Sequence, residues 1–385
     1  MSSYRVTRTF HPVGQGAFYS ERHNKFNIVY DCGTTAYAKA RPVVKSAFLY
    51  QDIDILFISH FDNDHISTIE ALRDSTNNIH TVVMPLLEPK HEKLLINLSS
   101  ALPTGSLNLI KDPQTFFGSN TTIVRVRSTQ ERNRDESDNP INLPNPLESS
   151  ESISVQSSSP PSIIINSGRP LIINNEYRWV FVPYNIKFTD RHAKLINQLE
   201  SLGFDVSELE KNPNYVMDSL KDSKSRKTLK NIYDKKLGGD INENSMLLYS
   251  GPSKDSESSD ICYCELICQD SVYSCECFNS AGCIYTGDSD LNEVLKEEDD
   301  VYLDYRRCVG IIQIPHHGSK ENFNIRFFEQ FYPVICPVSY GTKNSHGHPA
   351  AEVINELSMN KFRPILVNEQ LSSKFVQEIE FNWLN

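Results

Sequence analysis

The chain has 385 residues, 39% of them hydrophobic and 10% aromatic, enough for one large α/β domain with insertions or two modest domains. Its formal net charge of −11 argues against a broadly basic nucleic-acid-binding face, although cations held in a cleft would offset acidic side chains there. No run reaches the apolar length of a membrane span and the first five residues lack a secretory layout, so a cytoplasmic protein without membrane association is expected.

Residues 26–30 read as a short strand closed by Asp31-Cys32-Gly33, and 53–59 as a strand buried on both faces. Residues 66–73 have helical spacing, 81–85 form a third strand and 91–102 a further helix. Strand, helix and strand at these lengths predict a layered α/β architecture. Residues 128–162 are rich in Ser, Asn, Pro and acidic side chains, which predicts a mobile surface loop, with a substrate-gating lid as the alternative.

Strand character resumes at 177–183. The charged stretch 189–240 predicts a helical insertion ending near Gly238-Gly239. A second set of strands opens at Asn244-Ser245 and runs to Gly287-Asp288. A further apolar run, 309–314, leads into Pro315-His316-His317-Gly318-Ser319. No repeat of fixed period is present, and the two strand-rich regions suit two halves of a single domain spanning 1–385.

The segment His60-Phe61-Asp62-Asn63-Asp64-His65 carries the sharpest chemistry. Four ligand-grade side chains in six positions, on a turn between a buried strand and a helix, can converge on a small volume. Imidazole and carboxylate are the ligands that zinc, iron and manganese take. A polar helix cap would use one aspartate and would not call for flanking histidines. Three more sets also follow β-type runs: Gly287-Asp288, His316-His317-Gly318-Ser319 and His346-Gly347-His348-Pro349. Loops at strand ends meet along one sheet edge, so a shared site is expected.

The order His-x-Asp-x-Asp-His, Gly-Asp, Pro-His-His-Gly-Ser, Gly-His-Pro resembles the metallo-β-lactamase superfamily. It is similar in particular to the branch that includes the hydrolase domain of the competence protein ComEC. Val13-Gly14-Gln15-Gly16-Ala17, Tyr30-Asp31-Cys32-Gly33 and Asn244-Ser245 resemble further motifs of that branch. The resemblance implies an αββα sandwich carrying two divalent metal ions, zinc or manganese. His60 and Asp62 would serve one metal, and Asp64 and His65 the other. Asp288 would bridge them, and His317 would complete the second site. His316 would lie near the reacting group, and His348 would face the substrate as a ligand or proton donor. The superfamily's commoner motif has His where Asp62 stands, and its mid-chain histidine ligand has no match here; the extra carboxylate keeps manganese in play beside zinc.

The chemistry that follows is hydrolysis by a hydroxide held between two cations, with Asp64, His316 and His348 as the catalytic set. A phosphodiesterase or nuclease acting on a nucleic acid or nucleotide is the leading expectation, implied by the ComEC-like resemblance. Hydrolysis of a small ester, lactam or thioester on the same metals is the alternative, and an inactive binding or scaffold protein of this fold a third. Nine cysteines are an odd number for a disulfide framework. Cys262, Cys264, Cys268, Cys275, Cys277 and Cys283 lie close in sequence. They read either as a structural zinc site or as neighbours on a β-hairpin, where Cys-x-Cys side chains share one face.

Overall fold

A computed structural model describes residues 3–100, 106–133, 135–143, 162–173, 178–201, 203–216, 244–254, 261–268, 271–274, 281–297, 301–331 and 334–382. The chain opens with an antiparallel meander of β1 (Ser3–Phe10), β2 (Phe18–His23) and β3 (Asn27–Cys32). β4 (Ile53–Phe57), β5 (Ile79–Pro85) and β6 (Thr122–Val126) then add in parallel. These three are buried along most of their length, as strands covered on both faces must be.

Short strands β7 (Ile141–Leu143), β8 (Ile163–Ile165) and β9 (Leu171–Ile173) precede the long antiparallel pair β10 (Trp179–Lys187) and β11 (Asn244–Pro252). A hairpin, β12 (Ile261–Cys268) and β13 (Ser271–Ser274), follows. The parallel run β14 (Gly282–Tyr285), β15 (Val309–Ile312), β16 (Ile335–Ser339) and β17 (Arg363–Val367) comes next, and β18 (Phe375–Asn382) closes the chain against β1. Among the described residues the first sheet has the order β13-β12-β18-β1-β2-β3-β4-β5-β6-β8, and the second β17-β16-β15-β14-β11-β10-β9-β7.

Alternation along the strands sorts their side chains into layers. Tyr30 and Phe57 point between the sheets with Phe10, Tyr19, Phe181, Leu248 and Tyr285. Their neighbours Val29 and Leu56 point outward, against Val44 of α1 (Tyr37–Ala47) and Leu72 of α3 (Ile69–Arg73), which follows the short α2 (Asn63–Ile66). The same outer cluster holds Leu94 of α4 (Pro89–Ser100), which precedes α5 (Ser106–Lys111) and α6 (Pro113–Phe117). On the other side, Leu247 and Ile312 meet Phe327 and Leu357. Helix, sheet, sheet, helix is the resulting order of layers, the αββα fold.

Part of the expected loop and part of the expected helical insertion are described. Residues 129–131 form a 3-10 turn and β7 pairs with β9. Glu136 takes the guanidinium of Arg127 at 2.8 Å and that of Arg169 at 2.7 Å, and Leu143 is buried. These contacts hold the first part of the expected mobile loop in place, while residues 144–161 lie outside the described residues. Within the expected insertion, α7 (Thr189–Ser201) and α8 (Val206–Lys211) join the outer cluster through Leu195, Leu199 and Leu209. Residues 217–243 lie outside the description. So do the side chains of Cys262, Cys264, Cys268, Cys275 and Cys277, and with them the structural-zinc reading.

One buried charge crosses the inter-sheet core. Arg8 of β1 is fully buried, and its Nε donates to Glu21 Oε1 at 2.8 Å. Ser250 Oγ and Tyr285 OH, from the opposite sheet, donate to the same carboxylate at 2.6 and 2.9 Å.

Candidate metal centre

The site begins where β4 ends. The backbone N–H of Ser59 donates to Asp31 Oδ1 at 2.7 Å, and Ser59 Oγ donates to Asp31 Oδ2 at 2.7 Å. His60 follows, and Asp62 takes the N-cap position of α2. The helical turn starts at Asn63, three residues before the apolar spacing suggested, so Asp64 and His65 project from its first turn. Gly33 makes this approach possible: a Cβ there would come within 2.4 Å of the His65 carbonyl carbon and 2.5 Å of Asp64 O.

The second half of the chain supplies the rest from the ends of β14, β15 and β16. Asp288 follows Gly287, which has φ +54°. His316 and His317 sit in a 3-10 turn with φ 45° and 56°, and Asp31 has φ 54°. Left-handed backbone at non-glycine residues costs about 1–3 kcal/mol each and collects where function demands a particular side-chain direction.

Two groups of ligand-grade atoms result: His60, His65 and Asp288, and Asp64, His65 and His317, with atoms within 4.8 Å of one another in each group. Asp288 stands between the two first-motif histidines, 3.0 Å from His65 Nε2 and 3.7 Å from His60 Nε2. His317 Nε2 is 3.0 Å from Asp64 Oδ2. Asp62 Oδ2 is 3.5 Å from His60 Nε2. His316 Nε2 lies 3.8 Å from Asp288 Oδ2, at the edge of the cluster. His348 is farther out, its ring 5.7 Å from that of His316, and His346 is exposed, 5.7 Å from His348. Five of the six expected metal ligands fall into these two groups and Asp62 adjoins them through His60, while His348 faces the cluster through His316 and His346 is left on the rim.

The donor set fits divalent cations. Each of four histidines engages its Nδ1 with a protein group: His60 with Ser59 Oγ at 2.8 Å, His65 with Asp31 Oδ2 at 2.8 Å, His317 with the Ser339 carbonyl at 2.9 Å, and His316 with Asn322 Oδ1 at 2.9 Å. Such partners fix the ring and its tautomer so that Nε2 is presented for ligation. For His60, His65 and His317, that nitrogen faces the aspartates.

The electrostatics agree. Burial opposes protonation of His65, yet Asp288 and Asp31 outweigh it and hold its pKa well above the usual range. Burial likewise opposes protonation of His317, and the hydrogen bond to Asp64 with the nearby Asp288 raises it. Burial pushes the Asp64 carboxyl up, but His317 and His65 pull it down to about 2. Burial likewise pushes the Asp288 carboxyl up, but His65 and then His316 hold it well below the carboxylate range. This is a buried cluster that draws in positive charge. Burial and the neighbouring imidazoles lower His348 to about 4.

Sequence reasoning missed the supporting residues. Ser59, Asn322 and the Ser339 carbonyl were not singled out, and neither was Gln313, a buried amide just before the Pro-His-His turn. A lone glutamine inside the apolar run Val309-Gly310-Ile311-Ile312-Gln313-Ile314 was the available signal.

Residues 13–149 match the model of the metallo-beta-lactamase superfamily. The two sheets flanked by helices are consistent with the metallo-β-lactamase fold, and the matched part of the chain contains the His60–His65 motif. That superfamily consists mostly of metal-dependent hydrolases. Among solved structures the chain is similar to the metallo-beta-lactamase fold protein YhfI from Bacillus subtilis, at 9% identity and a TM-score of 0.39, covering 97% of this chain and 99% of that one. No curated protein matches the chain.

Proposed function

We propose that the protein is a dinuclear metal-dependent hydrolase of phosphodiesters, with nucleotides or nucleic acid as the substrate class. The observation that carries the reading is the convergence of three Nδ1-anchored imidazoles, His60, His65 and His317, on the carboxylates of Asp62, Asp64 and Asp288. His60, Asp62 and Asp288 would hold one cation, and Asp64, His65, Asp288 and His317 the other, as zinc or manganese. Cations there supply Lewis acidity and a nucleophile available near neutral pH.

The chain's own groups do the rest. Asp31 and Ser59 hold the first-motif rings in register. Asp64, tied to His317, would act both as ligand and in proton handling. His316, anchored through Nδ1 by Asn322 at the edge of the carboxylates, would as the imidazolium deliver its Nε2 proton to a leaving oxygen. His348, on the outer side of His316, offers an imidazole to the substrate. Imidazole N–H donors at the mouth of a cation-neutralised site suit the non-bridging oxygens of a phosphodiester.

Purified protein loaded with Zn²⁺ or Mn²⁺ tests this with bis-p-nitrophenyl phosphate beside p-nitrophenyl acetate. Metal-dependent cleavage of the first supports the reading. Cleavage of the second alone supports the ester, lactam or thioester alternative, and a protein that takes up no metal supports a binding or scaffold role.

A further inference from the structure

Gln313 is 3% exposed and follows β15 directly, between two of the turns that bear candidate ligands. Its Oε1 accepts from the backbone N–H of Thr286 at 2.8 Å and of Gly287 at 3.0 Å. Its Nε2 donates to the Ile314 carbonyl at 2.8 Å and to the Gly287 carbonyl at 3.3 Å. Both functions of the amide are thus engaged, each with two partners, and all four partners are main-chain atoms.

These atoms belong to two turns. Thr286 and Gly287 lead into Asp288, and Ile314 leads through Pro315 into His316 and His317. The Gly287 carbonyl also accepts from the His316 N–H at 3.2 Å, and Thr286 Oγ1 donates to the Gln313 carbonyl at 2.9 Å. One side chain therefore couples the turn carrying Asp288 to the turn carrying His316 and His317. It does so where both depart from regular strand: Gly287, His316 and His317 all have positive φ. A turn held in sparsely populated backbone space needs such over-determination to persist.

We infer that Gln313 is a positioning residue that fixes the distance between Asp288 and His317, and through it the affinity of the centre for divalent cations. The inference rests on the metal-site reading above. It goes beyond that reading because Gln313 offers the cation no ligand and acts only through the backbone that carries the ligands. A hydrogen bond from the protein to a metal ligand contributes about 10- to 100-fold in metal affinity, and a clamp on both ligand-bearing turns is expected to act on the same scale. A leucine in the same space keeps the volume and loses all four bonds.

The test is Zn²⁺ and Mn²⁺ affinity by competition with a chromophoric chelator, together with the melting temperature of the metal-free protein. It compares wild type, Gln313→Leu, Gln313→Met and the control Gln377→Leu. Gln377 is another buried amide, on β18, where it accepts from Arg8. Expected is a 10- to 100-fold loss of affinity in both Gln313 variants, with wild-type affinity in the control even where its melting temperature falls. Gln313→Met fills a longer space than leucine and supplies the reading should Gln313→Leu fail to fold. Gln313 variants that bind metal as tightly as wild type would overturn the assignment and leave the metal centre standing. Wild-type protein that binds neither cation would end the metal-site reading, and this assignment with it.

Discussion

Asp31 and His65 are joined at 2.8 Å between Oδ2 and Nδ1, so that a carboxylate at the end of β3 sets the direction in which a histidine of α2 presents its other nitrogen. The same carboxylate takes the Ser59 N–H and hydroxyl. One buried group thereby orders the start of the whole first motif. Asp31 lies at φ 54°, a conformation that asparagine also tolerates.

Asp31→Asn therefore keeps the backbone and removes the charge behind His65. Metal affinity should fall about 10- to 100-fold. The metal-free protein should melt close to the wild-type temperature. Chelator competition and a thermal scan check the two halves, and unchanged affinity would separate Asp31 from the centre.

Asp64→Ala and His65→Ala should each reduce turnover to background while circular dichroism shows an intact fold. Asp64 is partly accessible at the surface of the cluster, and His65 belongs to both groups of ligand atoms. His316→Ala should cost less, about 10²- to 10⁴-fold, the range for a proton donor. Steady-state rates on bis-p-nitrophenyl phosphate measure all three.

Gly287→Ala tests the geometry of the Asp288 turn from its other side. The residue has φ +54°, and an added Cβ would lie 2.9 Å from Ser245 Oγ and from Ser59 Cβ. The conformational cost is about 1–2 kcal/mol before any displacement of Ser59, the residue bonded to His60. A lower melting temperature together with weaker metal binding is expected.

Acid should weaken the metal-free fold through the network between the sheets. Burial pushes the Glu21 carboxyl up, but Arg8 and then His23 reverse this and leave it below the carboxylate range. A depressed folded-state pKa contributes stability that is full above the unfolded value of about 4.3 and is lost as pH falls toward the folded value. His23 is lowered by burial, so the unfolded chain gains its proton first and stability already declines below about pH 6.5. Glu21→Gln should cost about 3–5 kcal/mol near neutrality, because Arg8 is left buried without its counter-charge. It should also flatten the dependence below about pH 4.3. Urea unfolding across this range decides it.

The sequence alone determined the motif, the strand ends on which the ligand types sit, and the layered α/β class. These are local properties: apolar runs mark strands buried on both faces, and chemistry-bearing residues clustered just beyond them, as in His60 to His65 and Pro315 to His317. It also marked 128–162 as poor in apolar residues, yet could not show that Glu136 pins part of that stretch through Arg127 and Arg169, since ion pairing is read from space and not from composition. Tertiary structure alone decided which imidazole nitrogen faces the carboxylates, because Asp31, Ser59, Asn322 and the Ser339 carbonyl come from separate elements. It likewise decided that Gln313, a polar residue within an apolar run, clasps the Gly287 turn, 26 positions before it, to the turn that follows it. Directions of side chains and closures between distant segments depend on packing the two sheets face to face, and no local pattern encodes them.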